Sequence, residues 1–460
     1  VMVRIQEIQI KDFKNVEHGI IKFPNKKSSG DFLNSAEVVG VYGQNGSGKT
    51  AIVEAFKILK DIMSGDNIPK NISDYIMQGK NSCKFNLTFY LEQAEQHYFF
   101  KYNCLIGLNA ENEYKIVKEE IQYKEFNGQK WPTSFKTLFS LEGNREENHS
   151  LDYSFYPFKL TEASTKLYID SIVNAKRAEK EGKSFIFSKD FYKTIETSEN
   201  ANFIIGLVKD IQLVSKRDFF IVANSQIGLI SGNILIPLNI FLKETKSIHQ
   251  GTIPIKMKGS ATLPLPHYDI VEKVLDNMNI VLNNLVPDLK INIKPLGKEL
   301  NKDSEEVMRF QLMSVRKDKE IPIEYESEGI KKIISVLSML IVTYNNPSFV
   351  LIIDEFDAGI YEYLFGEILN IMSTSGKGQL LFTSHNLRPL EVLSVNNIRF
   401  TTTNPKDKYI KMKNVKQNNN LRDTYMRNII LGNDDVSLYE ETRDYKIKRA
   451  FRLAWNDVNE

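Results

Sequence analysis

The sequence predicts an α/β fold in which a mixed central sheet is flanked by helices. Mainly apolar runs of strand length stand at 38–42, 349–353 and 379–383, the third of them between Gln379 and Thr383. Such runs are typical of strands that are buried on both faces of a parallel sheet. A glycine-rich turn follows the first run, and apolar residues then recur at helical spacing from Ile52 to Leu59. This spacing predicts a helix that packs one face against the sheet.

The composition is that of a globular protein with balanced charge. Of the 460 residues, 42% are apolar, which is enough for more than one hydrophobic core. Lys and Arg total 60 against 58 for Asp and Glu, so a net charge of +2 provides no global basic surface for nucleic acid, although a local patch is compatible with it. Two cysteines, Cys83 and Cys104, are too few for a disulfide framework or a cysteine-rich metal site.

The apolar segments are too short and too interrupted to predict a membrane protein. The best run, 333–342, contains Ser335 and Ser338 and falls short of the length that a bilayer requires. Residues 4–12 carry charges where a signal peptide would need an apolar stretch. We therefore expect a cytoplasmic protein that does not enter a membrane.

Changes of pattern along the chain predict four regions. Residues 1–149 combine strands with the glycine-rich turn and are expected to form the N-terminal lobe. Residues 150–287 mix helical faces with Gly and Pro loops, which predicts an inserted, largely helical arm. Residues 288–403 carry the second and third apolar strands and form the C-terminal lobe, and residues 404–460 form a polar, partly helical tail.

Residues 43–50 match G-x-x-x-x-G-K-[ST] in full, the pattern of a phosphate-binding loop. Its glycines let backbone N–H groups approach the phosphates, and the following helix directs its N-terminus at the same anion. Lys49 supplies positive charge to the β- and γ-phosphates, and the Thr50 hydroxyl is a ligand for Mg²⁺. The nucleotide-binding residues predicted from this loop are Gly43, Asn45, Gly46, Ser47, Gly48, Lys49 and Thr50.

The second apolar strand ends in two adjacent carboxylates, Asp354 and Glu355. Asp354 at the strand end is placed to hold Mg²⁺, and Glu355 points differently because strand side chains alternate. Glu355 is then free to act as the general base that polarises an attacking water. The alternative is a surface acidic pair that only ends the strand.

Two further polar positions fit a nucleotide site less specifically. His385 follows the third apolar strand, where an imidazole would reach the γ-phosphate or the attacking water. Ser327 is a good N-cap for a helix that starts upstream of the acidic strand, and helix N-termini bind anions. A structural histidine and a simply capped helix are the alternatives.

Together these elements resemble the ABC-type ATPase heads of the SMC, RecF and overcoming-lysogenization-defect group, which are split P-loop NTPases. Residues 43–50 resemble Walker A, and residues 351–355 resemble Walker B with its catalytic glutamate. Residues 327–329 resemble a degenerate form of the S-G-G signature, residues 357–360 a D-loop, and His385 the switch histidine. The long gap between Walker A and the signature is typical of the group, because an arm or insertion splits the head.

Within this group the sequence is most similar to abortive-infection ATP-binding proteins of bacterial phage defence, including the ATPase subunits of AbiL and PARIS-like systems. The similarity lies in the E-S-x-G run at 326–329 and the acidic strand at 352–357. Glu328 replaces the second glycine of the signature. Lys14 and Asn15, after the first strand, lie where this group often contacts the nucleotide.

The resemblance implies an ATP- and Mg²⁺-dependent ATPase that works as a switch. Ser327 and Gly329 would complete the ATP site of another copy in trans, so the protein would form a head-to-head homodimer or a larger homo-oligomer. Glu355-assisted hydrolysis would then open the assembly. The sequence after His385 is too short for a usual nuclease domain. The resemblance therefore implies a separately encoded toxin or nuclease as effector, with a phage protein as a trigger to be considered.

A RecF- or SMC-like DNA-repair ATPase is the alternative function. It requires a basic surface on the closed heads, and the net charge of +2 neither supplies nor excludes one. A transporter subunit is a weaker alternative, since that class carries a full L-S-G-G signature.

Overall fold

The computed structural model of the chain defines several sheets and the helices around them. It describes residues 1–24, 35–93, 96–109, 111–145, 151–156, 165–196, 201–224, 228–230, 232–243, 248–301, 303–412, 421–431, 438 and 444–456. The strands are β1 (Met2–Phe13), β2 (Val16–Lys22), β3 (Glu37–Tyr42), β4 (Ser82–Gln93), β5 (Gln96–Leu108), β6 (Tyr114–Glu125), β7 (Lys136–Arg145), β8 (Leu151–Tyr156), β9 (Phe219–Val222), β10 (Leu235–Lys243), β11 (Ile248–Lys256), β12 (Ala261–Pro264), β13 (Leu289–Leu300), β14 (Glu306–Arg316), β15 (Lys319–Pro322), β16 (Val350–Ile353), β17 (Gln379–Ser384), β18 (Ile398–Thr401) and β19 (Tyr409–Ile410). The α-helices are α1 (Lys49–Ser64), α2 (Thr165–Glu181), α3 (Lys189–Ile195), α4 (Ala201–Arg217), α5 (Leu265–Leu285), α6 (Glu328–Asn345), α7 (Glu362–Ser375), α8 (Pro389–Val392), α9 (Leu421–Leu431) and α10 (Asp444–Asn456).

The central sheet contains all three of the apolar runs that predict strands. Its order is β19-β18-β3-β17-β16-β9, and every pairing except the one between β18 and β19 is parallel. Strands β3, β16 and β17 are buried along their whole length. Because parallel strands end at the same edge, the segments that follow β3, β16 and β17 meet there. The predicted α/β architecture is confirmed.

A separate antiparallel sheet covers the other face of α1. It has the order β2-β1-β4-β5-β6-β7-β8, and it shares one hydrophobic core with α1 and α4. The apolar face predicted for α1 is buried, with Ile52 and Leu59 almost fully excluded from solvent. The turn between β1 and β2 thereby comes close to the start of α1.

A second core lies on the opposite face of the central sheet. It contains apolar residues from α5, α6 and α7 and from the four-stranded sheet of β12, β14, β13 and β15. Helix α6 also packs against β10 of the β10–β11 hairpin. The start of α6 is thus held between this sheet and the segment that follows β16.

Two of the predicted region limits fall within connected structure. Residues 150–287 include β9, which is an edge strand of the central sheet, and α4, which packs against α1. Part of the expected arm is therefore built into the head, because the short run of β9 supplies a parallel neighbour for β16. The limit at 403/404 falls inside the β18–β19 hairpin. The division into four regions as such stays a prediction.

None of the helices in the described part of the chain is long and apolar enough to cross a membrane.

Candidate nucleotide-binding site

The loop between β3 and α1 has the backbone that an anion site requires. Gly46 and Gly48 adopt left-handed conformations, with φ of 74° and 102°, which residues with a Cβ rarely adopt. Helix α1 starts at Lys49, and no side chain caps it within the described residues. Its first N–H groups therefore remain available to an anion.

Lys49 lies folded over the loop. Only 6% of the residue is exposed, and its ammonium donates to the carbonyls of Gly43 at 2.7 Å and Gln44 at 3.0 Å. Burial lowers the pKa of Lys49, while Glu355 and Asp354 oppose this shift. The two acidic residues predicted from the sequence are thus within electrostatic range of the loop lysine.

Asp354 and Glu355 are linked by a residue that the sequence did not indicate. The Thr383 hydroxyl at the end of β17 donates to Asp354 Oδ1 at 2.6 Å and accepts from the Glu355 N–H at 2.8 Å. Asp354 is 1% exposed, and the neighbouring Glu355 has a φ of +46°. A left-handed backbone costs about 1–3 kcal/mol in a residue with a side chain and is often found at functional sites. Thr383 therefore helps to hold Glu355 in this conformation.

The loop that carries His385 is anchored to the residues that follow Walker B. Asp357 Oδ2 accepts from the His385 N–H at 3.1 Å and from the Asn386 N–H at 2.9 Å. Burial lowers the pKa of His385, and Lys49 lowers it further against the opposing effect of the carboxylates. This shift favours the neutral imidazole, which can donate or accept a hydrogen bond.

These elements surround one cavity of about 260 Å³. The residues that line it are Lys14, Asn15, Asn45, Gly46, Gly48, Lys49, Thr50, Ala51, Glu355 and His385. Segments that lie far apart in the sequence thus meet at one place. Gly43 and Ser47 belong to the loop but do not line the cavity.

Lys14 and Asn15 lie in the turn between β1 and β2. The Asn15 side chain donates to Gly46 O at 2.5 Å, so it supports the phosphate loop directly. Lys14 has a φ of 51°, forms an ion pair with Glu54 and lies 5.0 Å from the Tyr75 ring centroid. The structure therefore brings both residues to the cavity, as the resemblance implied.

Thr50 and Asp354 are suited to a magnesium ion. Both line a neighbouring cavity of about 520 Å³, and Thr50 lines the first cavity as well. One hydroxyl and one buried carboxylate provide oxygen donors, and Mg²⁺ normally takes its other ligands from substrate phosphates and water. No group of three or more His, Cys, Asp or Glu residues that would hold a metal occurs among the described residues. The fit is therefore to an ion bound together with a nucleotide.

The predicted signature residues do not line either cavity. Ser327 is exposed and caps α6, because its hydroxyl accepts from the Ile330 N–H at 3.3 Å. Gly329 is buried, and a Cβ on it would lie 2.0 Å from the carbonyl oxygen of Gly359. Gly329 therefore has a structural reason to be glycine within a single chain. Glu326 fixes this segment to β14 through the Ser314 hydroxyl.

The β18–β19 hairpin is a further support that the sequence did not reveal. The Thr401 hydroxyl donates to Tyr42 O at 3.1 Å and shares a hydrogen bond of 2.5 Å with the Ser47 hydroxyl. The Tyr409 hydroxyl donates to Gly48 O at 2.8 Å. The sequence of β18, Ile-Arg-Phe-Thr, carries no signal for Thr401, because the contact exists only once β18 pairs with β3.

Comparison with known protein families gives a match over most of this chain. A protein family described as "AAA domain, putative AbiEii toxin, Type IV TA system" matches residues 38–391. No curated protein sequence matches the chain.

Solved structures with some similarity include three SMC heads. One is an SMC head bound to the C-winged helix domain of ScpA, with 14% identity and a TM-score of 0.42. Another is the SMC head domain from Thermotoga maritima, with 12% identity and a TM-score of 0.38. The third has an extended coiled coil and is bound to the C-terminal domain of ScpA derived from Pyrococcus furiosus, with 13% identity and a TM-score of 0.39. The matches cover 89% of this chain and 98%, 99% and 96% of the respective chains. Similarity at this level says nothing about function.

The sheet order and the meeting of the motifs around one cavity agree with the predicted α/β fold.

Proposed function

Because the chain belongs to the family described as "AAA domain, putative AbiEii toxin, Type IV TA system", we propose that it is the ATP-binding and ATP-hydrolysing switch of a bacterial abortive-infection system against phage. The observation that carries the ATPase part is the single cavity shared by the phosphate loop, Glu355 and His385. The family description supports the defence part. On this proposal the protein works in the cytoplasm as a scaffold for a separate effector.

Several residues in and around the cavity have roles in the proposed reaction. The loop N–H groups and Lys49 bind and orient the triphosphate, and Asn15 keeps the loop in place. Bound Mg²⁺, held by Thr50 and Asp354, would neutralise charge on the phosphates. Glu355 accepts a proton from the attacking water, and the neutral His385 orients that water or the γ-phosphate.

We further propose that two copies share each triphosphate. Ser327 and Glu328 at the start of α6 are exposed and lie outside the cavity of their own chain, which is what a contact in trans requires. Tyr325 and Tyr361 flank this surface and are 72% and 68% exposed. Exposed aromatic residues are enriched at protein interfaces. ATP would then stabilise the closed dimer or a larger homo-oligomer only as far as it favours that state.

The partner of this switch would be a separately encoded toxin or nuclease, with a phage protein as the trigger. A likeness to the ATPase subunits of AbiL and PARIS-like systems is part of this proposal. The E-S-x-G run at 326–329 and the acidic strand at 352–357 support it.

Two experiments test the proposal, one on the purified protein and one on cells that carry the native locus. Purified protein should hydrolyse ATP with Mg²⁺, and Lys49→Ala should abolish nucleotide binding. Phage plating on cells that carry the native locus should rise when the gene is deleted or when Lys49→Ala replaces it. Unchanged plating would refute the defence role. ATP-strengthened, salt-dependent DNA binding would favour a DNA-repair ATPase instead.

A further inference from the structure

The ammonium of Lys408 lies beside the phosphate loop and has no partner among the residues that the structure describes. Lys408 directly precedes β19 in the β18–β19 hairpin, and only 4% of the residue is exposed. Its backbone N–H donates to His18 O at 3.2 Å. Its ammonium forms no hydrogen bond or ion pair with the part of the chain that the structure describes.

The position of Lys408 against the loop is fixed by its neighbours. Its Cε lies 3.0 Å from the place that a Cβ on Gly48 would occupy, and Asn15 Oδ1 lies 3.1 Å from the same place. Tyr409 donates to Gly48 O and Thr401 to Tyr42 O, so the hairpin contacts the loop on both sides of Lys408 in the chain. Both Gly48 and Asn15 line the proposed nucleotide cavity.

The electrostatic surroundings of Lys408 differ from those of Lys49. Burial lowers the pKa of both lysines. Three carboxylates oppose the shift at Lys49, whereas no charged group in the described part of the chain opposes it at Lys408. A buried ammonium without a counter-charge is costly, because the protein replaces water without offering an opposite charge. An anion at the neighbouring loop would remove this cost.

We propose that Lys408 acts beside Lys49 as a second phosphate-binding lysine. Its ammonium contacts the polyphosphate of a bound nucleoside di- or triphosphate. This inference rests on the proposed nucleotide-binding function and extends it to a residue that lies far outside the phosphate-loop motif. The hairpin that carries Lys408 becomes part of the binding site rather than a tail. Because the counter-charge arrives with the ligand, Lys408 raises affinity without stabilising the nucleotide-free protein.

The test compares nucleotide affinity of full-length variants by titration calorimetry. Lys408→Met should weaken ATP and ADP binding by about 10- to 100-fold, the range expected for one hydrogen bond to a charged group. Lys408→Arg should retain much of the affinity because it keeps the charge. Lys411→Met is the matched control, since Lys411 is an exposed lysine just after the same hairpin. It should bind ATP within about twofold of the unchanged protein.

Thermal unfolding without nucleotide shows whether a loss of ATP binding comes from a loss of folding. Lys408→Met should unfold at the same temperature as the unchanged protein or higher, and it should gain less from added ATP. If Lys408→Met binds ATP as tightly as the unchanged protein while Lys49→Ala does not bind, the inference is wrong and the proposed function stands. If the unchanged protein itself does not bind ATP, both are wrong.

Discussion

Substitution of Gly329 distinguishes a structural role within one chain from a role in the ATP site of another copy. An alanine there would place its Cβ 2.0 Å from Gly359 O, 2.8 Å from the Gly359 carbonyl carbon and 3.3 Å from the Ile360 Cα. Ordinary contacts begin near 3.4 Å, and all three atoms belong to backbone. The first turn of α6 or the segment 357–360 must therefore move by more than an ångström.

Overpacking of this kind typically costs about 1–3 kcal/mol. We therefore expect Gly329→Ala to lower the Tm of the nucleotide-free protein by a few degrees. The ATPase rate should also fall, because the displaced segment 357–360 carries Asp357, which anchors the backbone of His385. Differential scanning calorimetry and a phosphate-release assay measure the two effects.

Gly206→Ala provides the control for this experiment. Gly206 lies inside α4, has no heavy atom within 4 Å of an added Cβ, and does not have a positive φ. Alanine there should leave the Tm unchanged or raise it slightly, since glycine weakens a helix by roughly 0.5–1 kcal/mol. If Gly329→Ala kept its Tm and lost only ATP-dependent association, the intramolecular explanation would be refuted.

Three other substitutions test the remaining roles. Glu355→Gln should retain ATP binding and lower the hydrolysis rate by about 100-fold or more; hydrolysis at the unchanged rate would remove the general-base assignment. His385 has a pKa below its ordinary value of 6.5, so it takes up its proton at a lower pH in the folded than in the unfolded chain. The folded protein therefore loses stability as pH falls through 6.5, because the unfolded chain binds this proton more readily. His385→Gln removes this effect and should show a smaller loss of Tm over the same pH range. An identical loss of Tm in both proteins would contradict the lowered pKa. Tyr361→Ser should weaken ATP-dependent association by about tenfold in sedimentation velocity, while the Tm of the monomer stays nearly constant; unchanged association would place the interface elsewhere.

The elements that the sequence predicted are those whose signal is local. The runs at 38–42, 349–353 and 379–383 are apolar because both faces of a parallel sheet are covered, so pattern alone identifies strands. The polar segments that follow these strands meet because parallel strands end at the same edge of the sheet. In the structure this rule accounts for the meeting of residues 43–50, Glu355 and His385, which the sequence grouped through their motifs.

The features that the sequence did not reveal depend on contacts between distant segments. Nothing in the local sequence marks Thr383. Its hydroxyl contacts both Asp354 and the Glu355 N–H only because β16 and β17 pair. The loop contacts of Thr401 arise only because β18 lies beside β3. Strand β9 is four residues long within a mixed segment, so its membership of the central sheet has no local signal.

The most direct test is a structure of Glu355→Gln determined with ATP and Mg²⁺. It should show one triphosphate lying on Lys49, the magnesium held by Thr50 and Asp354, and Ser327 of a second copy closing the site. A nucleotide bound away from Lys49, or a triphosphate that no second chain contacts, would contradict the idea of a shared site.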